Sequence, residues 1–243
     1  MVDQGIDVCE FYCLCYNNPV RYKSMMERFS KIGLNLNIFE GVEITDPRIV
    51  DQPISEGIKR LWSITYGHIE MLKLFLQTDK KYGFFCEDDI YLHKEFANHI
   101  PKIIEEFETM NLDFLLLGHM TNYKIEDWIL GYNLKHQFDN RPYKYHNYPA
   151  TEHGHWGAHL YMVTRSHAQF LIDKFGNGYA DATLTDSSLP HFSPDWTITK
   201  QGNRALMYPM MAVEDSIGDY GHGGQTEYHK SNTRLNYDPE YFI

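Results

Sequence analysis

An α/β fold with a largely parallel central sheet is what this sequence predicts, on three observations. Short apolar runs alternate with amphipathic stretches of helical period over most of the chain. The composition, 43% hydrophobic and 23% charged, is that of an ordinary globular protein and excludes wholesale disorder. At 243 residues the chain can bury one good core, so a single domain over residues 1–243 is expected.

The elements follow in order. Val8 to Tyr16 (VCEFYCLCY) has the apolar and aromatic character of an interior strand, and Asn17-Asn18-Pro19 breaks it. Arg21 to Ile32 has helical periodicity, with Gly33 placed to stop it. Leu36 to Phe39 is a short second strand. Lys59 to Gln77 is the strongest helix, with Leu61, Ile64, Ile69, Leu72, Phe75 and Leu76 on one face. Tyr82 to Cys86 is a short apolar run that stops abruptly at Glu87-Asp88-Asp89. Lys94 to Met110 is a helix and Asp113 to Gly118 a buried strand. From residue 119 to 156 no long apolar run occurs, but Tyr, His, Asn and Asp abound, as in a functional loop. Ala158 to Thr164 is a strand and Ser166 to Phe175 a helix. Leu206 to Val213 is a late strand that Pro209 marks as edge-like or bulged. Residues 218–243 make a polar C-terminal tail.

Charge and cysteine usage narrow the function. Twenty-two Lys+Arg against 33 Asp+Glu give −11, which argues against a partner that presents nucleic-acid phosphates. An anionic substrate then needs a cation or a local basic patch. Cys9, Cys13 and Cys15 fall in one predicted strand and Cys86 in another, the pattern of buried small hydrophobes rather than a disulfide framework. Met1 to Glu10 lacks a basic start and a long apolar core, and no apolar run approaches the roughly 20 residues of a membrane span. A cytoplasmic protein, bacterial or in a virus-infected host cell, is the expectation.

Glu87-Asp88-Asp89 is the sharpest local feature. Alternate strand residues share a face, so Glu87 and Asp89 point one way and Asp88 the other. In α/β sheets ligands gather beyond the carboxyl ends of the strands. Two like charges about 4 Å apart cost on the order of 1 kcal/mol even in bulk water. A hard divalent ion, Mn²⁺ or Mg²⁺, relieves that repulsion with oxygen ligands and can hold a diphosphate. The bland alternative is an acidic strand end that meets solvent.

The flanking motifs resemble glycosyltransferase family 25, the group of lipooligosaccharide and collagen galactosyltransferases. The resemblance rests on Tyr16-Asn17-Asn18-Pro19-Val20-Arg21 after the first strand and on Phe39-Glu40-Gly41-Val42-Glu43. It continues through Tyr66-Gly67-His68, Phe84 to Asp89 as a DXD-like motif, and Asp113 to Gly118. Gly157 to Leu171, Pro194-Asp195 and Val213 to Ser216 complete the order. Gly67 stands where the family usually has Ser, and Glu214-Asp215 where it often has Gln.

The resemblance implies a GT-A (Rossmann-like) fold, with a mixed, mainly parallel sheet flanked by helices. It also implies inverting transfer of a hexose, galactose or glucose favoured, from a UDP-sugar to a hydroxyl of a glycan, glycoprotein or lipid-linked acceptor. Glu87 and Asp89 would bind the metal, with His222 as a further ligand and His229 in reserve. Asp88, Asn17, Arg21 and His68 would meet the donor. Inversion needs a base for the acceptor proton. Asp195 is the first choice and Asp215 the second, although Asp195 also suits a plain helix cap. The aromatic stretch Trp128 to Trp156, with Tyr132, Tyr143, Tyr145 and Tyr148, would wall the acceptor side. Two other classes compete: a non-catalytic carbohydrate-binding protein on the same scaffold, and a metal-dependent hydrolase built around His153-Gly154-His155.

Overall fold

The computed structural model describes residues 3–121, 144–146, 148, 155–216 and 223–243. In chain order these form α1 (Asp3–Ile6), β1 (Cys9–Leu14), α2 (Pro19–Lys31), β2 (Asn37–Phe39), α3 (Glu56–Leu76) and β3 (Tyr82–Glu87). Next come β4 (Ile90–Leu92), α4 (Phe96–Thr109), β5 (Phe114–Thr121), β6 (Lys144–His146) and β7 (His155–Thr164). The chain continues with α5 (Arg165–Phe175), α6 (Tyr179–Ala182), α7 (Pro194–Thr197), β8 (Arg204–Tyr208), β9 (Ala212–Glu214) and α8 (Gly223–Asn236).

Seven strands make one sheet in the order β2-β1-β3-β7-β5-β8-β6. Strands β2, β1, β3, β5 and β8 run one way, while β7 and β6 run against them. The expected mixed, mainly parallel sheet flanked by helices is therefore observed. Strands β4 and β9 form a separate antiparallel pair. The late apolar run does not stay one strand. Pro209 has no N–H for a ladder, and the run divides into β8 and β9 around it.

Strand alternation sorts the aromatic side chains onto two faces. On the α3 side, Tyr12, Phe85, Tyr161 and Phe114 stack across β1, β3, β7 and β5, with successive centroids 5.4, 5.3 and 5.2 Å apart. Phe75 of α3 meets Phe85 edge-on. On the other side Phe11 packs with Phe29 of α2, and Phe84 with Phe96 of α4. Glu87 has the parity of Phe85, so it leaves the sheet on the α3 side. The four cysteines are free and buried within this core, as their strand positions require.

Helix ends fix where the loops open. Asn18 caps α2, its side chain accepting from the Arg21 N–H at 3.1 Å, with Pro19 in the first turn. The Arg165 guanidinium donates to the carbonyls of Leu76 and Thr78 at 2.9 and 2.7 Å, closing the C-terminal end of α3. The polar stretch near the C-terminus holds α8, which has no strong apolar stripe. It is pinned to β9 instead: His229 Nδ1 lies 2.6 Å from Glu214 Oε1, and the Thr233 hydroxyl donates to the Glu214 carbonyl at 2.9 Å.

One buried residue makes an acid-sensitivity prediction. His167 of α5 is almost fully buried, beside Phe114 and Phe170. Burial drops its pKa from 6.5 to about 4. A depressed folded-state value gives stability that is present above about pH 6.5 and is lost as pH falls toward 4. Urea unfolding at pH 7, 5 and 4 should show that loss, up to roughly 3 kcal/mol. His167→Phe should flatten it, and an unchanged pH slope would refute the assignment.

Candidate active site

The carboxyl ends of β1 and β3 open into two adjoining clefts. The first, of about 470 Å³, is lined by Leu14, Tyr16, Asn18, Arg21, Gly41, Val42, Ile44, Arg60, Ser63 and Ile64. The second, of about 380 Å³, is lined by Leu61, Ile64, Met120, Trp156, Gly157, Ala158, His159, Pro194, Asp195, Glu214, Tyr228 and His229. Glu87 and Asp89 line both, and Asp88 lines the first. Strand β3 ends at Glu87, so the bend at Asp88-Asp89 rather than strand alternation brings all three acids to the first cleft, with Glu87 and Asp89 on the wall between the two chambers.

Each acid of the triplet has a different setting. Asp88 Oδ1 accepts from Arg21 Nη1 at 2.8 Å, and the same nitrogen lies 3.5 Å from Asp89 Oδ2. Glu87 Oε1 lies 3.5 Å from His68 Nε2, whose Nδ1 is 2.9 Å from the Tyr161 hydroxyl. Burial pushes the Glu87 carboxyl up, but the hydrogen bond and charge of His68, with His159 and His229 beyond, bring it below the usual range. Asp89 goes the other way. Burial first, then the charges of Glu87 and Glu214, raise it well above an ordinary aspartate, and Arg21 only partly offsets them. Asp89 Oδ1 is buried without a hydrogen-bond partner among the described residues.

That orphaned oxygen is the test of whether a cation fits. A carboxylate atom taken from water and left unpaired among other carboxylates costs free energy, and a hard divalent ion would satisfy it. Among the described residues no three His, Cys, Asp or Glu side chains meet as a closed metal-binding group. Mg²⁺-like ions commonly take one or two protein carboxylates and complete their shell with substrate phosphate and water. Glu87 and Asp89 fit such an open site.

Asp195 stands in the first turn of α7, within the second cleft. Its Oδ1 accepts from the Gly157 N–H at 2.6 Å. Burial raises its proton affinity; the Gly157 N–H opposes the rise, the Glu87 charge adds to it, and His159 and Lys200 work against it. Asp215, by contrast, lines neither cleft. Its carboxylate pairs with Arg28 at 3.1 Å, and its N–H donates to the Asp89 carbonyl at 2.5 Å. Asn17 is a left-handed residue at φ 45°, in the turn that aims Asn18 and Arg21 inward. His222, Trp128, Tyr132, Tyr143 and His153 lie outside the described residues. His229 is described, and its Nδ1 is engaged by Glu214 rather than by the acidic pair. The Gly67 departure has a steric cause: a Cβ there would lie 2.8 Å from Leu14 Cδ1, so glycine lets α3 close on β1.

The described part of the cleft walls also includes Glu214, His159, Tyr228 and Trp156. For Glu214 the acidic pair Glu214-Asp215 was a visible signal, but of its two members Glu214 is the one that reaches the cleft. No sequence signal marked His159.

Residues 16–185 match the model of glycosyltransferase family 25, described as an LPS biosynthesis protein family. The chain belongs to glycosyltransferase family 25. It is therefore a transferase enzyme that takes a sugar donor and an acceptor. Among solved structures it is similar to a glycosyltransferase involved in the glycosylation of the major capsid of PBCV-1. That likeness covers 92% of this chain and 99% of the other, at 9% identity and a TM-score of 0.39. A mutant UDP-glucose pyrophosphorylase from Leishmania major in complex with UDP-glucose is also similar. It covers 69% of this chain and 42% of the other, at 9% identity and a TM-score of 0.28. At these TM-scores neither likeness carries the argument. No curated protein matches this glycosyltransferase. Among its described residues no helix is long and apolar enough to cross a membrane.

Proposed function

We propose that this glycosyltransferase is a metal-dependent, inverting hexosyltransferase on a GT-A scaffold. It moves galactose or glucose from a UDP-sugar to a hydroxyl of a glycan or glycoconjugate. One observation carries the reading: Glu87 and Asp89 stand on the wall shared by two clefts, one with Arg21 and the N-terminus of α2, the other with Asp195. A group transferred from donor to acceptor must cross such a wall.

In this reading the first cleft takes the donor. Its volume lies in the range of small-molecule sites. Its apolar floor of Leu14, Val42, Ile44 and Ile64 suits a base and ribose, and the first turn of α2 with Arg21 faces the diphosphate. Asp88, paired with Arg21, holds that guanidinium at the cleft. Glu87 and Asp89 would hold Mn²⁺ or Mg²⁺, which when bound supplies Lewis-acid stabilisation of the departing diphosphate. His68, braced by Tyr161, orients Glu87 from the α3 side.

The second cleft takes the acceptor. Trp156 and Tyr228 offer aromatic faces for sugar C–H surfaces. Asp195 accepts the acceptor proton as the hydroxyl attacks. Its Oδ1 is occupied by the Gly157 N–H, so the proton goes to Oδ2. A carboxylate whose proton affinity is raised by burial makes a stronger base than one in water.

The test is a donor screen by release of free nucleotide, with Mn²⁺ and with chelator. UDP-galactose or UDP-glucose should release UDP in Mn²⁺, faster with a glycan acceptor present, and neither should do so in chelator. Release that persists unchanged in chelator, or no release from any sugar nucleotide, would overturn the reading.

A further inference from the structure

Among the described residues, the base of the proposed reaction is held by one backbone N–H, and that N–H belongs to an irregular stretch of strand. The β5–β7 ladder pairs Met120 with Trp156 and then Gly118 with Leu160. One residue of β5, at 119, therefore faces three of β7, at 157–159. Such a bulge leaves residues off the ladder and re-aims side chains, often beside active sites. Gly157 lies in it with φ +90°. Freed from the ladder and lacking a Cβ, a glycine peptide can swing through a wide range. Yet its N–H makes a short 2.6 Å bond to Asp195 Oδ1. Something other than the sheet must fix its direction.

His159 is placed to do this. A Cβ built on Gly157 would lie 2.1 Å from His159 Cε1 and 2.2 Å from Nδ1, so the imidazole rests directly on the Gly157 Cα. His159 is 3% exposed, and among the described residues its Nδ1 has no hydrogen-bond partner. It lines the acceptor-side cleft with Gly157 and Asp195.

We propose that His159 is a positioning residue for sugar transfer: its ring, wedged on Gly157, holds the Gly157 N–H on Asp195 Oδ1 and so aims Oδ2 at the acceptor hydroxyl. This rests on Asp195 being the base. The bulge presents the peptide, the glycine makes room for the ring, and the ring removes the freedom that the glycine brought.

The experiment follows the Gly157 amide by ¹H–¹⁵N NMR in the full-length protein, alongside nucleotide release from UDP-galactose and UDP-glucose in Mn²⁺. His159→Ala should move the Gly157 amide proton upfield and speed its exchange with solvent. Asp195→Asn should do the same, and the double variant no more than either. His159→Phe, which keeps a flat ring on the glycine, should leave the amide close to its wild-type position. If His159→Ala fails to fold, His159→Gln removes the ring with less disturbance and should move the amide likewise. Kinetically, kcat in His159→Ala should fall about 10²-fold with the donor KM nearly unchanged, as expected of a misaimed group. His159→Phe should restore most of it, and in an Asp195→Asn background the His159→Ala loss should vanish. An unmoved Gly157 amide, or an equal kcat loss in the Asp195→Asn background, overturns the proposal. Full activity in Asp195→Asn alone instead removes the base assignment, and the amide data separate the two failures.

Discussion

Asp89→Asn should cut transfer by about 10³-fold or more, some 4 kcal/mol of barrier, while leaving the metal-free protein at least as stable as wild type. The two halves have one cause. Asp89 is buried beside Glu87 and Glu214, with one carboxylate oxygen unpartnered among the described residues, and its proton affinity is raised first by burial and then by those neighbours. A raised folded-state value means stability that is intact below the unfolded value near 3.9 and is lost as pH climbs through the folded value. The ionised side chain therefore opposes folding at neutral pH unless a cation answers it. The isosteric amide removes the charge and the repulsion together, so melting in chelator at pH 7 should hold or rise as activity collapses. A structural carboxylate would lose stability and activity in parallel. Glu87→Gln should lose activity comparably. It should lose stability rather than gain it, because the histidines around Glu87 lower its pKa and the ionised carboxylate therefore favours the folded state at neutral pH.

Asp195→Asn is the second large effect, with an expected loss of 10²- to 10⁴-fold in kcat. The amide is isosteric with the carboxylate but a much weaker acceptor for the Gly157 N–H, so the fold and the donor KM should be little changed while that bond loosens. The pH profile carries the sharper signature. A base works only when deprotonated, and Asp195 is raised above the ordinary carboxylate range. Wild-type kcat should fall as pH drops through that raised value, whereas the residual rate of Asp195→Asn should lack this limb. A variant that kept the same acidic limb would assign it to another group.

The order of elements was legible because apolar runs of strand length and amphipathic runs of helix length alternate over most of the chain. Strand parity foretold the face of Glu87, but not the placing of Asp88 and Asp89, which lie in a bend beyond the end of β3. Phe85, two residues before Glu87, is buried against Phe75 of α3, and that fixes the face. What escaped has tertiary causes. Residues 158–164 have the pattern of an uninterrupted strand, and nothing local announces that Gly157 to His159 bulge away from β5. Glu214 reaches the cleft because β9 pairs with β4 directly after the acidic triplet, with Ile90 opposite Glu214. That pairing spans more than a hundred residues, and no short-range pattern reveals it. Helix α8 was hidden because polar bonds to β9, rather than an apolar stripe, hold it down.

The central claim is that Glu87 and Asp89 hold a divalent cation that offsets the charge of a donor diphosphate. Calorimetric titration with UDP tests it most directly, in Mn²⁺ and again in chelator, on wild-type protein and on Asp89→Asn. Binding that requires Mn²⁺ and vanishes in Asp89→Asn is the predicted result. Equal UDP affinity with and without the metal, unaffected by the substitution, would contradict it.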